Sequence, residues 1–243
     1  MVGYSTLLSG AERAVRWQNG TKKSLGTLGG RNSQATGINE DGIIVGWSDT
    51  KSGDRHAFVY QNGVMKDIGT LGGKGSVANG INKAGRVVGG SSTASGEDHA
   101  FAWVNGKFQD LGDGGTQFSY ATAINTGRIV GVFGPPLDAE GGDLEVRQPF
   151  IFSAGVFKGF NTRRHASTPH DVNPDGIVVG GDEDDRMDDP ADAWVRQADG
   201  PVQPLPELAD GWDSAQGINK FGTIVGYSEA PDGWSKAVIW RPQ

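Results

Sequence analysis

The feature that most constrains this chain is a unit that recurs from end to end. Ile38-Asn39-Glu40-Asp41-Gly42-Ile43-Ile44-Val45-Gly46 returns as Ile81-Asn82-Lys83-Ala84-Gly85-Arg86-Val87-Val88-Gly89. It returns again from Ile124-Asn125 to Val130-Gly131, one residue shorter in the turn, then from Val172-Asn173 to Val179-Gly180 and from Ile218-Asn219 to Val225-Gly226. The opening Val2-Gly3-Tyr4-Ser5 matches Val225-Gly226-Tyr227-Ser228, so Val-Gly pairs stand at 2, 45, 88, 130, 179 and 225. A period of about 44 residues is the signature of a stacked or radial repeat architecture. Six copies fill residues 1–243 as one expected domain, with the first and last copies incomplete.

Each copy reads as four short strands. The first ends in Ile-Asn, and a turn such as Glu40-Asp41-Gly42 leads into the Val-Gly strand. The third is apolar and aromatic, as in Ala57-Phe58-Val59-Tyr60, Ala100-Phe101-Ala102-Trp103 and Ala193-Trp194-Val195-Arg196. It runs into Asn62-Gly63 or Asn105-Gly106, the strongest short hairpin signal, because a type I′ turn requires positive φ at both central residues. The fourth strand is Lys66-Asp67-Ile68-Gly69 or Gln109-Asp110-Leu111-Gly112, and no stretch carries a helical apolar period. Four antiparallel strands per repeat give an all-β fold, a single β-propeller of about six four-stranded blades, with five as the alternative. Six copies of the second and third strands and five of the first and fourth predict 22 strands, and the two ends of the chain are expected to seal one ring.

Leu25-Gly26-Thr27-Leu28-Gly29-Gly30, Ala35 to Asn39, Val45-Gly46 and His56-Ala57-Phe58, with their second copies from Ile68-Gly69-Thr70-Leu71-Gly72-Gly73 to His99-Ala100-Phe101, resemble the HAF-repeat family, also called the probable extracellular repeat. The similarity is strong over about residues 20–131 and weaker over 132–212. The resemblance implies a bacterial, exported, propeller-like protein, secreted or extracytoplasmic, and implies no particular reaction. The opening Met1-Val2-Gly3-Tyr4-Ser5 has neither the basic n-region nor the apolar h-region expected of a signal peptide.

Composition removes whole classes of function. The chain has no Cys, which excludes thiolate nucleophiles, disulfide scaffolds and Cys-bound metal. Its net charge is −7 with scattered Lys and Arg, which argues against nucleic acid as a partner. No apolar run is long enough to span a membrane. The 40 glycines show no every-third-residue period and are read as turn formers.

Candidate site residues lie where the copies disagree. His56 and His99 share a column with Arg13, Gln148, Asp192 and Lys236, which is not a set of metal ligands, so they are read as polar residues bonding a loop. The repeated Asn at 39, 82, 125, 173 and 219 is read as a turn residue. The loops between second and third strands, about ten residues in most copies, hold more than half of the 29 acidic residues and predict an acidic face. The fifth copy's loop offers Asp182, Asp184, Asp188 and Asp189 as hard oxygen ligands, making Ca²⁺ the candidate cofactor, although the spacing departs from a Ca²⁺-loop motif. Glu145, His165, His170 and Asp171 are the candidate catalytic groups, and Arg163 and Arg164 could hold a carboxylate or sulfate. Trp47, Trp212 and Trp234, at strand ends or in loops, could stack on sugars. The leading expectation is a non-enzymatic recognition or structural module, carbohydrate-binding, with a glycan or another protein as partner. The alternative is a polysaccharide-active enzyme, a glycoside hydrolase or lyase, with its site on the acidic loop face. The oligomeric state is not encoded in any of these features.

Overall fold

The computed structural model describes residues 1–135, 147–162, 166–182, 192–209 and 211–241. These residues carry 22 strands and no helix, matching the strand count expected from the repeats. The chain divides into two compact units, Met1–Gly112 and Asp113–Gln243.

In the first unit, β1 (Val2–Thr6), β2 (Glu12–Gln18) and β3 (Thr21–Gly26) form one antiparallel sheet. A four-stranded sheet follows: β4 (Gly29–Ile38), β5 (Ile44–Thr50), β6 (Arg55–Gln61) and β7 (Val64–Gly69). The same pattern repeats in β8 (Gly72–Ile81), β9 (Val87–Thr93), β10 (Asp98–Val104) and β11 (Lys107–Gly112). In the second unit, β12 (Phe118–Ile124), β13 (Arg128–Gly134), β14 (Gln148–Ser153) and β15 (Val156–Gly159) pair in that order. So do β16 (Ser167–Val172), β17 (Val178–Asp182), β18 (Ala193–Arg196) and β19 (Val202–Pro204). The last sheet has three strands, β20 (Asp213–Ile218), β21 (Ile224–Glu229) and β22 (Ser235–Trp240).

Local chemistry explains the hairpins. Asn19-Gly20, Asn62-Gly63 and Asn105-Gly106 all have positive φ at both positions, as the primed turn demands. Ala154-Gly155 adopts the same geometry with Ala154 at φ 51°, where a Cβ is strained. In the second and third copies the loops joining second to third strands are much tighter than expected. Thr50 N–H donates to Asp54 O at 2.8 Å and Gly53 N–H to Thr50 O at 3.1 Å, and Thr93, Glu97 and Gly96 repeat this pattern at the same distances. The strands run on into the loop because their ladder bonds continue as far as Thr50 and Thr93.

Within each unit neighbouring sheets stack face to face, so a strand such as β5 or β17 alternates between two cores instead of between core and water. Ile44, Phe58 and Tyr60 pack toward Ala14 and Leu25 of the first sheet, while Val45, Ala57 and Ile68 pack toward Ala78, Val87 and Phe101 of the third. The second unit repeats this with Val178 and Trp194 on one side and Val179 and Ala193 on the other. On the last sheet the corresponding Val225 and Ile239 are 47% and 60% exposed.

Hydroxyl and amide side chains tie neighbouring backbones across these thin cores. Ser33 Oγ donates to Gly26 O at 2.6 Å and accepts Ala14 N–H at 2.9 Å; Ser76 does the same with Gly69 and Ala57 at 2.6 and 2.8 Å. Thr36 donates to Ala78 O at 2.7 Å, and Thr122 donates to Pro169 O. The repeated Asn does more than hold its turn. Asn39 Oδ1 accepts Ile43 N–H at 3.0 Å while its Nδ2 donates to Asn82 O at 3.2 Å, and Asn173 links in the same way to Asn219 O at 3.4 Å.

Gly89, the Gly of a Val-Gly pair, faces a first-strand bulge so closely that an added Cβ would land on the Val77 carbonyl oxygen. Gly127 has open space and an ordinary φ. We expect Gly89→Ala to lower stability by at least about 2 kcal/mol and Gly127→Ala to change it by less than about 0.5 kcal/mol, read from denaturant midpoints. Ala154→Asn should raise stability by roughly 1 kcal/mol in the same assay, by relieving the positive φ.

Candidate functional site

Of the candidate residues of the second unit, His170 and Asp171 lie on β16 near the turn that leads into β17, away from the second-to-third loop end. Asp171 is half-buried; its carboxylate accepts the Val172 and Ile218 N–H groups at 2.8 and 2.9 Å. Burial pushes its pKa above the ordinary carboxylate value, and those two N–H bonds pull it partly back. His170 sits one residue earlier, and its Nδ1 lies 2.9 Å from Ala215 O, the column position at which Thr36 and Thr122 bond the next sheet. The two side chains thus tie β16 to the backbone of β20 through Ala215 O and Ile218 N–H. Glu145, His165, Arg163 and Arg164 lie outside the described residues, as do Asp184, Asp188 and Asp189.

Asp182 is 5% exposed and accepts the Ser167 hydroxyl at 2.6 Å. Among the described residues no group of three His, Asp or Glu could hold a metal ion. Much of the acidity of the loops is engaged locally. Asp49 accepts Asn32 N–H and Nδ2 at 2.9 and 3.0 Å, Asp54 and Glu97 accept Ser52 and Ser95, and Asp232 takes Trp234 N–H and Lys236 Nζ. The hydrogen bond from Lys236 leads the causes that lower the Asp232 pKa. His56 and His99 bond aspartates of the neighbouring fourth strand, Asp67 at 2.8 Å and Asp110 at 2.9 Å, and those carboxylates accept Gly69 and Gly112 N–H.

The three candidate tryptophans separate. Trp47 is 8% exposed, with the Arg55 guanidinium 3.6 Å from its ring centroid, so the expectation of an open ring fails there. Trp212 and Trp234 are 43% and 72% exposed. Both flank the end of β21, where Glu229 N–H donates to Trp212 O at 3.0 Å and Ala230 N–H to Trp234 O at 3.1 Å. Glu229 Oε2 accepts Trp212 N–H at 3.3 Å, which ties a carboxylate to the Trp212 backbone.

A cavity of about 540 Å³ opens at the other end of the strands, between β16–β19 and β20–β22. Ile177, Val195, Leu205, Ile218, Ile224 and Trp240 line it, and no carboxylate does.

One residue escaped the sequence reading. Asp213 occupies the column held by Ser33, Ser76, Ser119 and Ser167, and it is 3% exposed. Its carboxylate is bonded by the Ser228 hydroxyl, but Oδ1 has no hydrogen-bond partner among the described residues. Burial is the main cause raising its pKa, helped by the charges of Asp192 and Glu229. Lining up the repeats column by column is the signal that would have found it.

Neither a family model nor a curated protein sequence matches the chain. Solved structures match it over almost its whole length at low identity. TolB from Acinetobacter baumannii is 11% identical with a TM-score of 0.62; the match covers 99% of this chain and 60% of that one, so this chain spans less than two thirds of that protein. The putative TolB from Agrobacterium tumefaciens is 12% identical with a TM-score of 0.59, covering 100% and 90%. The β-propeller domain of the Trilobed protease from Pyrococcus furiosus is 13% identical with a TM-score of 0.57, covering 99% and 81%. The fold is therefore a β-propeller built of four-stranded antiparallel sheets. Among the described residues no helix is long and apolar enough to cross a membrane.

Asp213→Ser restores the hydroxyl that the other columns carry, and it should raise the melting temperature. The folded pKa of Asp213 lies above its unfolded value, so the wild type loses stability as pH rises from the ordinary carboxylate range through the raised folded value. The gain from the substitution should therefore be largest near pH 8, roughly 1–3 kcal/mol for removing a buried unpaired acceptor, and should shrink toward pH 4. Thermal melts of both proteins across that range check the sign. Asp171 is common to both and cancels in the difference.

Proposed function

We propose that the chain is a non-enzymatic recognition module that binds carbohydrate on the loop end of its last sheet. The observation that carries this reading is the pair of exposed rings, Trp212 and Trp234, held on either side of the β21 end. Large aromatic faces left in water are costly unless a ligand covers them, and the apolar C–H face of a pyranose is a natural cover. Glu229, Asp232 and Lys236 surround them with groups that bond sugar hydroxyls. Export to an extracytoplasmic compartment belongs to the same reading and rests on the HAF-repeat motifs alone. The enzymatic alternative needs two carboxylates facing one cleft, and no described residues favour it, since His170 and Asp171 are engaged by backbone.

A glycan array probed with the intact chain, with and without Ca²⁺, tests the proposal. Trp212→Ala and Trp234→Ala should each weaken the best hit about tenfold, the equivalent of ~1.4 kcal/mol of stacking. Absence of any glycan hit, or unchanged affinity in both variants, overturns it. Release of reducing sugar from a hit would establish the enzymatic alternative instead.

A further inference from the structure

At the turn end of the second unit, opposite the loop end that carries Trp212 and Trp234, two arginines converge. Arg128 Nη1 donates to Ala198 O at 3.1 Å and to Gly176 O at 3.4 Å. Arg196 Nη1 donates to the same Ala198 O at 2.9 Å and to Gln197 O at 3.5 Å. A carbonyl oxygen has two lone pairs, so Ala198 O is saturated by the pair, while each guanidinium keeps most of its five N–H donors. Both side chains are half-buried, and among the described residues no carboxylate lies within ion-pair distance of either. The Arg196 guanidinium also lies 4.8 Å from the Phe160 ring centroid, which fixes its plane.

The repeats make this pairing anomalous. Arg196 stands in a column filled by Trp17, Tyr60, Trp103, Phe152 and Trp240 in the other copies. Arg128 stands in a column held by Ile43, Arg86, Ile177 and Thr223. Arg86 of that column bonds Gln109 within its own sheet, whereas Arg128 reaches across to the sheet that carries Arg196. Two like charges brought onto one carbonyl oppose each other unless an anion joins them. Burial is the first cause depressing the Arg196 pKa; the charge of Arg128 depresses it further, and that of Asp199 acts against both.

We propose that Arg128 and Arg196 form a binding site for a phosphate or sulfate group at the turn end of the second unit. The planar forks suit bidentate oxyanion recognition, and a dianion neutralises both charges where a carboxylate neutralises one. Asp199 is the acidic neighbour that limits affinity.

Isothermal titration with inorganic phosphate, sodium sulfate and sodium acetate at matched ionic strength reads the site. Phosphate and sulfate should bind, with acetate at least tenfold weaker; Arg128→Gln and Arg196→Gln should each cost tenfold or more, and Asp199→Asn should tighten binding severalfold. Equal response to phosphate and sodium chloride, or wild-type affinity in Arg196→Gln, overturns the proposal. A second measurement on the unaltered chain is independent of variant folding. Phosphate should protect Arg128 and Arg196 from phenylglyoxal, read by mass spectrometry, and lack of protection at both positions overturns it. The glycan reading is untouched by either outcome because its residues lie at the opposite strand ends.

Discussion

The architecture depends on one constraint: sheets stacked face to face through thin cores in which alanines meet larger apolar side chains such as Phe58 and Phe101. Gly46 and Gly89 let the first strand of their own sheet bulge where any Cβ would collide, and the fully buried Ala14, Ala57, Ala78 and Ala100 let adjacent sheets come close. So close an approach brings backbone amides and carbonyls of adjacent sheets within reach of short polar side chains. Ser33, Ser76, Thr36 and Asn39 satisfy those groups while consuming almost no volume. A buried unpaired backbone group costs about 1–3 kcal/mol, so these ties are obligatory consequences of thin packing. They also explain how a chain with 36% hydrophobic residues, glycine aside, forms continuous cores.

The same constraint decides which parts of the structure were open to sequence reasoning. Strand number and order followed from the repeat, because four strands per copy is a local property of turn residues and apolar alternation. The hairpins followed from Asn62-Gly63 and Asn105-Gly106, whose φ values only that turn type uses. What could not be read from one copy was anything set between copies. Asn39 reads as a turn residue because its Asx bond lies four residues away, whereas its second bond reaches Asn82, 43 residues on. His170 and Asp171 read as catalytic because a histidine beside an aspartate suggests proton transfer. Their partners, Ala215 O and Ile218 N–H, are backbone groups with no side-chain signature in the sequence.

Loop length misled for a related reason. Counting residues between apolar strands made the Asp49-to-Asp54 segment a loop, but ladder bonds carry β5 to Thr50 and β6 begins at Arg55. Of the carboxylates expected to face solvent as a rim, Asp54 and Glu97 accept serine hydroxyls within tight turns, and Asp49 accepts Asn32 of the paired strand. A local surplus of negative charge in such loops therefore arises from turn chemistry before any ligand is considered.

In a repeat protein of this kind a departure from the column carries more information than the column itself. A column residue answers to a neighbour one period away, so replacing it changes two sheets at once. Asp213 exchanges a neutral hydroxyl for a carboxylate in the dry space between β17 and β20, a change that costs stability and gives the fold nothing evident in return. Arg196 differs because its departure is matched by Arg128 on the facing sheet and by Phe160 beneath its plane. A single mismatched charge is what drift leaves behind. Two charges converging on one carbonyl, with a ring to orient one of them, form a geometry that an oxyanion completes.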